Sequence, residues 1–205
     1  MTSISLKYKF GFSSGSLLLK ETEAILNEIK SPSDFISGAE VVSYRIIPIN
    51  SETSQKRMLS EVSKRVRSTK NPLFIELFLR SDYKQKLVLL FYFLCKDYQL
   101  ITDFMLQKVR EKWLNLDKEI STHDFTSFLN SKIDSNPEIE TISEITRYKL
   151  SQVAIKILKD VGMIVNGKLT KLEISELILR EIVKNGDQWF LDVLLLNDHE
   201  KNEFL

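Results

Sequence analysis

The sequence predicts a mainly α fold, a helical bundle with one short β-hairpin, and three observations carry that prediction. Apolar residues recur at helical spacing through most of the chain. Proline follows asparagine at Asn71-Pro72 and Asn136-Pro137, the order of an N-cap and a first helical residue, while Gly162 and Gly186 close periodic segments where a left-handed residue ends a helix. Asn166-Gly167 stands between two short apolar runs, and this dipeptide tolerates the positive φ required at both central positions of a type I′ turn.

Between these marks, helices are expected near residues 15–30, 53–68, 72–80, 83–96, 98–115, 124–133, 138–161 with a break, 172–185 and 187–196. Strand signals are few: Leu6 to Phe10, Val41 to Ile49 weakened by Pro48, and Met163 to Leu172. The run LVLLFYFLC, Leu87 to Cys95, is apolar all round, as a helix enclosed by others must be, and Phe104, Val109 and Trp113 continue its core. Asp124 is placed to cap the helix that follows His123, and Thr141 with Glu144 could form a capping box that starts a new helix inside 138–161. The order helix, helix, helix, hairpin over 124–171 is that of a winged helix-turn-helix, with a plain bundle carrying a hairpin as the alternative. The expected division is residues 1–118 as a helical domain with the basic helix 53–68, and 119–205 as a winged-helix-like element plus C-terminal helices.

With 205 residues, 43% of them hydrophobic and 28% charged, the chain has enough apolar surface for a core without disulfides. The opening MTSISLKYKF has no basic region leading into an apolar stretch and cleavage site, so no secretory signal is expected. Leu87 to Cys95 is far short of the roughly 20 residues a membrane span needs. Cys95, the one cysteine, is expected to be a buried, inert thiol, and the compartment expected is the cytoplasm.

The formal charge of +1 argues against a uniformly basic protein, but charge is segregated. Residues 45–86 carry 10 basic and 4 acidic side chains (+6) and 145–171 carry 6 and 1 (+5). Residues 117–144, with 2 and 7, and 172–205, with 3 and 8, are each at −5. On a helical wheel for 53–68, Met58, Leu59, Val62 and Val66 form an apolar stripe, and Lys56, Arg57, Ser60, Lys64, Arg67 and Ser68 lie opposite with Glu61 as their only acid. Arg65 falls on the flank and Lys70 follows the helix; charges and hydroxyls together are the donor mixture that contacts phosphate oxygens. A merely solvated helix face is the competing reading.

In the second block, Leu150, Val153, Ala154, Ile157 and Val161 point one way and Lys149, Gln152, Lys156 and Lys159 the other. In a winged element this is the recognition helix, with Gln152 suited to adenine and the lysines to guanine edges or phosphates; Lys168 and Lys171 would sit on the wing. The wheel turns Arg147 towards the apolar side, so an internal ion pair with an acid of 138–144 competes with a nucleic-acid role.

No catalytic constellation emerges, and neither enzyme activity nor a cofactor is expected. His123 and His199 lack a cysteine or a second histidine at ligand spacing, so no metal site is expected. Gly11 and Gly15 of GFSSGS are not followed by the Lys-Ser/Thr of a phosphate loop and read as a turn.

The segments GSLLLKETEAIL, Tyr44 to Asn50 leading into TSQKRMLSEVSKRVR, LVLLFYFLC, and TRYKLSQVAIKILKDVGMI together resemble the BrxA family of the bacteriophage exclusion (BREX) defence clusters, over roughly residues 1–170. The resemblance implies a mostly helical cytoplasmic protein with helix-turn-helix character, similar to the antitermination factor NusB, that binds DNA and acts beside a modification methyltransferase and other cluster proteins. Lys56, Arg57, Lys64 and Arg65, with Arg147 and Lys149, fall on the family's basic positions. Some family labels imply a membrane protein, which the length of the apolar run argues against. The expected partner is double-stranded DNA, with RNA or other BREX proteins as alternatives and no membrane.

Overall fold

The structure, a computed structural model, describes residues 7–205. Its helices are α1 (Leu19–Asn27), α2 (Pro32–Ser37), α3 (Glu52–Arg67), α4 (Leu73–Arg80), α5 (Tyr83–Asp97), α6 (Gln99–Phe104), α7 (Arg110–Leu114), α8 (Thr122–Ser131), α9 (Glu144–Asp160), α10 (Glu176–Lys184), α11 (Trp189–Val193) and α12 (Asp198–Asn202). A two-stranded antiparallel sheet, β1 (Ile164–Val165) and β2 (Lys168–Leu169), sits between α9 and α10, so the fold is mainly α as expected.

The all-apolar run forms the centre of α5, where Val88 to Cys95 are buried without interruption. Tyr92 meets Phe74 of α4 and Phe190 of α11 at ring-centroid distances of 5.1 Å each. A second aromatic group joins Phe12, Tyr98, Phe104, Phe125 and Phe128, with Phe104 and Phe125 edge to face at 4.8 Å. Edge-to-face contacts suit the positive rim and negative face of the rings. α6 and α7 are joined through a π-helical stretch, Met105–Val109. Cys95 lies in this interior, and burial pushes its thiol pKa up, which keeps it protonated and unreactive.

The Asn71 side chain accepts from the Leu73 N–H at 3.0 Å just ahead of α4, whose N-cap position is Pro72. Gly162 (φ +90°) and Gly186 (φ +83°) end α9 and α10 in Schellman geometry; at the first, Met163 N–H donates to Leu158 and Gly162 N–H to Lys159. The hairpin turn has Asn166 at φ +51° and Gly167 at +78°, as type I′ demands. Asp124 forms a capping box with Ser121 at the start of α8.

Other elements depart from expectation. The segment 138–161 does break, but Ser143, accepting from the Thr146 N–H, caps α9, while Thr141 donates to the Glu138 carbonyl instead. Val41 to Ile49 is a loop around a 3-10 turn, Tyr44–Ile46, capped by Ser43, and not a strand. Helix α2, absent from the sequence reading, is short and buries only Phe35. Residues 7–10 are not a strand, and Leu6 of that expected strand lies outside the described residues.

One residue extends the hairpin. Glu119 bridges Lys168 in antiparallel sense, and the Leu169 N–H donates to the Lys118 carbonyl at 2.7 Å, so β2 lies between β1 and the chain entering α8. The element order from α7 onward is therefore helix, single-residue strand, α8, α9, β1, turn, β2.

Candidate nucleic-acid interface

On α3 the apolar stripe is turned inward: Met58, Val62 and Val66 are buried and Leu59 half-buried. Lys56, Arg57 and Ser60 are exposed, as is Lys70 just beyond the helix. Lys56 pairs with Glu52 at 2.6 Å and lies over the Tyr44 ring. Arg57 and Lys70 have no ion-pair partner among the described residues.

The rest of the expected α3 face is tied into the fold. Glu61 does not project with the lysines; it is buried at 8% exposure and pairs with Arg65, 3% exposed, at 2.8 Å. Arg65 also donates to the carbonyls of Ser16 (2.7 Å) and Gly15 (3.2 Å), so the GFSSGS turn presents carbonyl oxygens to a cation. Arg67 is half-buried, donating to the Phe35 and Glu40 carbonyls. Lys64 is half-exposed, donates to Tyr98 (2.9 Å) and Glu61 (3.0 Å), and sits 3.1 Å from Asp97. Burial acts to lower the Lys64 pKa, and the bonds to Tyr98, Glu61 and Asp97 outweigh it, holding the ammonium well above the ordinary lysine range. Between α3 and the 35–42 segment lies an open groove of about 700 Å³, with Lys56, Ser60, Lys64 and Arg67 on its wall.

Helix α9 separates its faces more cleanly. Leu150, Ala154, Ile157 and Leu158 are buried and Val153 half-buried, whereas Lys149, Gln152, Lys156 and Lys159 are exposed. Lys156 pairs with Asp160 at 2.5 Å; Lys149 and Lys159 have no ion-pair partner among the described residues. The exposed strip continues towards the helix start through Tyr148 (58% exposed) and Ile145 (83%), which the sequence reading did not single out. Tyr148 lies four and eight residues before Gln152 and Lys156, Ile145 seven and eleven before them, and the two are three apart; this helical spacing is the signal that would have found them. Arg147 donates to the main-chain carbonyls of Ile142 and Glu140, locking the entry to α9.

Lys168 is exposed on the hairpin beside Asn166 and Gly167, whereas Lys171 is drawn away to Glu200. The two basic helices are joined through one residue. The Ser16 carbonyl accepts from Arg65 of α3, and the Ser16 hydroxyl donates to Asp160 of α9 at 2.7 Å.

Two further observations frame the site. Among the described residues no group of three or more His, Cys, Asp or Glu is arranged to hold a metal ion. No described helix is long and apolar enough to cross a membrane.

These features define a mainly helical protein with two separated, exposed basic strips, one of them on a helix followed directly by a hairpin. The BrxA family model matches residues 6–186, and the chain belongs to the BrxA family, as the resemblance in its sequence implied. A relative described as BREX protein BrxA, from Bacillus cereus (strain H3081.97), is 26% identical over 195 residues, covering 92% of this chain and 96% of the relative. The crystal structure of an uncharacterized protein from Magnetospirillum magneticum superposes with a TM-score of 0.74 at 21% identity, over 92% of this chain and 98% of that one, which shows a shared fold.

Proposed function

We propose that this protein is a non-enzymatic, cytoplasmic DNA-binding component of a BREX-type phage defence system. The observation that carries the reading is the solvent strip of α9, where Lys149, Gln152, Lys156 and Lys159 line up over a buried apolar face, with Lys168 projecting from the hairpin that follows. The element order, with Glu119 bridged to β2, is compatible with a winged helix-turn-helix, whose second helix enters the major groove while the wing rests on the adjacent backbone. An α-helix of 10–12 Å diameter fits a groove about 12 Å wide. On α3, Lys56, Arg57, Ser60 and Lys70 supply phosphate contacts, with Lys64 at the edge of the groove; Arg65 and Arg67 act by holding that helix in place.

Binding of this kind releases counterions, about 0.9 per neutralised phosphate, so affinity for duplex DNA falls steeply with salt. Titrating a fluorescent duplex at several salt concentrations tests the reading, and absence of binding at low salt overturns it. Competition with single-stranded DNA and RNA separates duplex recognition from a NusB-like RNA-binding role. Nuclease-resistant co-purification with other BREX proteins, in the absence of duplex binding, would instead favour a scaffold.

A further inference from the structure

We infer that Ile145 and Tyr148 contact base edges, and that Ile145 packs against thymine C5-methyl groups in the major groove, biasing recognition towards A·T pairs. The inference rests on the duplex-binding reading above and concerns two residues outside its basic set.

Ile145 is 83% exposed and Tyr148 58%, although each stands on a regular, capped helix whose other face is fully packed. A large apolar side chain left in water on such a helix gains nothing within the chain, since burying it would be worth about 1.5–3 kcal/mol. Positions 145, 148, 149 and 152 follow i, i+3, i+4, i+7 spacing, so they form one stripe along about 10 Å of helix axis. That length matches about three base pairs at the 3.4 Å rise per pair.

Charge complementarity selects the occupant. The apolar pair occupies the helix start, Lys149 and Gln152 the next turn, and Lys156 and Lys159 the far end, with Lys168 on the hairpin. A polyanion is the partner that meets these cations while presenting an apolar spot, and in duplex DNA that spot is the thymine methyl, displayed only in the major groove. Gln152 fits the same base pair type, because its amide pairs with adenine N6 and N7. The first turn is held firmly enough to present Ile145: Ser143 caps it, and Arg147 ties it to the Ile142 and Glu140 carbonyls.

The test replaces thymine with uracil, which removes the methyl group and leaves Watson–Crick pairing and phosphate charge intact. Affinities of the full chain for an alternating A·T duplex and its A·U counterpart of equal length are compared at one salt concentration. The expected result is weaker binding to the uracil duplex by about fourfold per contacted methyl, the factor that corresponds to one buried methylene. In the Ile145→Ala, Tyr148→Ala variant the difference should vanish while the salt slope is retained. Equal affinity of the parent protein for both duplexes, or a difference that persists in the variant, overturns this inference and leaves duplex binding standing. No binding to either duplex at low salt overturns the reading on which it rests.

Discussion

Arg65 and Glu61, one helical turn apart on α3, form a buried ion pair at 2.8 Å, with the remaining guanidinium donors directed to the Ser16 and Gly15 carbonyls. The centre of the most basic stretch of sequence is therefore interior. Removing one partner of such a pair strands a charge without solvent, at a cost of about 3–5 kcal/mol. Arg65→Ala should lower the urea unfolding midpoint accordingly, whereas Arg57→Ala, at an exposed position, should stay within about 0.5 kcal/mol of the parent. In the proposed duplex binding the ranking should reverse for folded protein, with Arg57→Ala the weaker binder. Equal stability of the two variants would contradict the burial of Arg65.

The α9 strip gives a second expectation. Lys149, Gln152, Lys156 and Lys159 are exposed over a packed face, so their replacement touches no core contact. The Lys149→Ala, Lys156→Ala, Lys159→Ala variant should unfold within about 1 kcal/mol of the parent while its log-affinity slope against log salt falls by up to about 2.7, or 0.9 for each lysine that neutralises a phosphate. Lys156 already pairs with Asp160, so it should contribute the smallest share. An unchanged slope would make the strip a solvated surface.

The difference between these helices explains how much was legible in the sequence. The strip of α9 follows from helical periodicity alone, because no distant segment covers it. On α3 the same wheel placed Glu61 among exposed lysines, yet the chain at Gly15 and Ser16, 50 and 49 residues away from Arg65, and Tyr98, 37 residues from Glu61, close over that flank. Periodicity reports which way a side chain points from its own axis and says nothing of a loop laid over it. Short elements were lost for a related reason. α2 has one buried side chain, Phe35, and Glu119 pairs through a single bridge, so neither repeats often enough to leave a pattern. Val41 to Ile49 has the β-branched content of a strand, but Pro48 lacks an N–H to pair and Ser43 caps a 3-10 turn there.

Acid should weaken the fold through two carboxylates. Burial alone would raise the Asp187 pKa, but hydrogen bonds from Lys96, Tyr92, Asn185 and Trp189 outweigh it and hold the carboxyl below its ordinary range. At Glu61, burial is outweighed in the same way by Arg65, Tyr98 and Lys64. Between the depressed native values and the ordinary unfolded ones, near 4, the unfolded chain binds more protons, so stability rises with pH there. The contribution is fully present above about pH 5 and is lost as pH falls towards the native values. Urea midpoints measured between pH 7 and pH 3 should decline, and Asp187→Asn should start lower and decline less. A parallel decline in parent and variant would remove Asp187 as a source.

The hairpin separates backbone strain from surface charge within three residues. Gly167 holds φ at +78°, and a β-carbon built there meets nothing within 4 Å, so Gly167→Ala adds conformational strain without a clash. A cost of about 1 kcal/mol is expected from placing alanine in the left-handed region. Lys168, by contrast, is exposed and contributes to the sheet through its main chain, in register with Val165 and bridged to Glu119, which alanine preserves. Lys168→Ala should therefore leave the thermal midpoint unchanged and reduce the salt slope of duplex binding by about 0.9, the value of one phosphate contact. Gly167→Ala should weaken binding as well, through displacement of the hairpin, but with the slope reduced only as far as Lys168 leaves the phosphate. Comparing the two variants by thermal unfolding and by salt titration tests whether the hairpin acts through its shape, its charge or both, and full affinity in each would exclude the hairpin from the proposed interface.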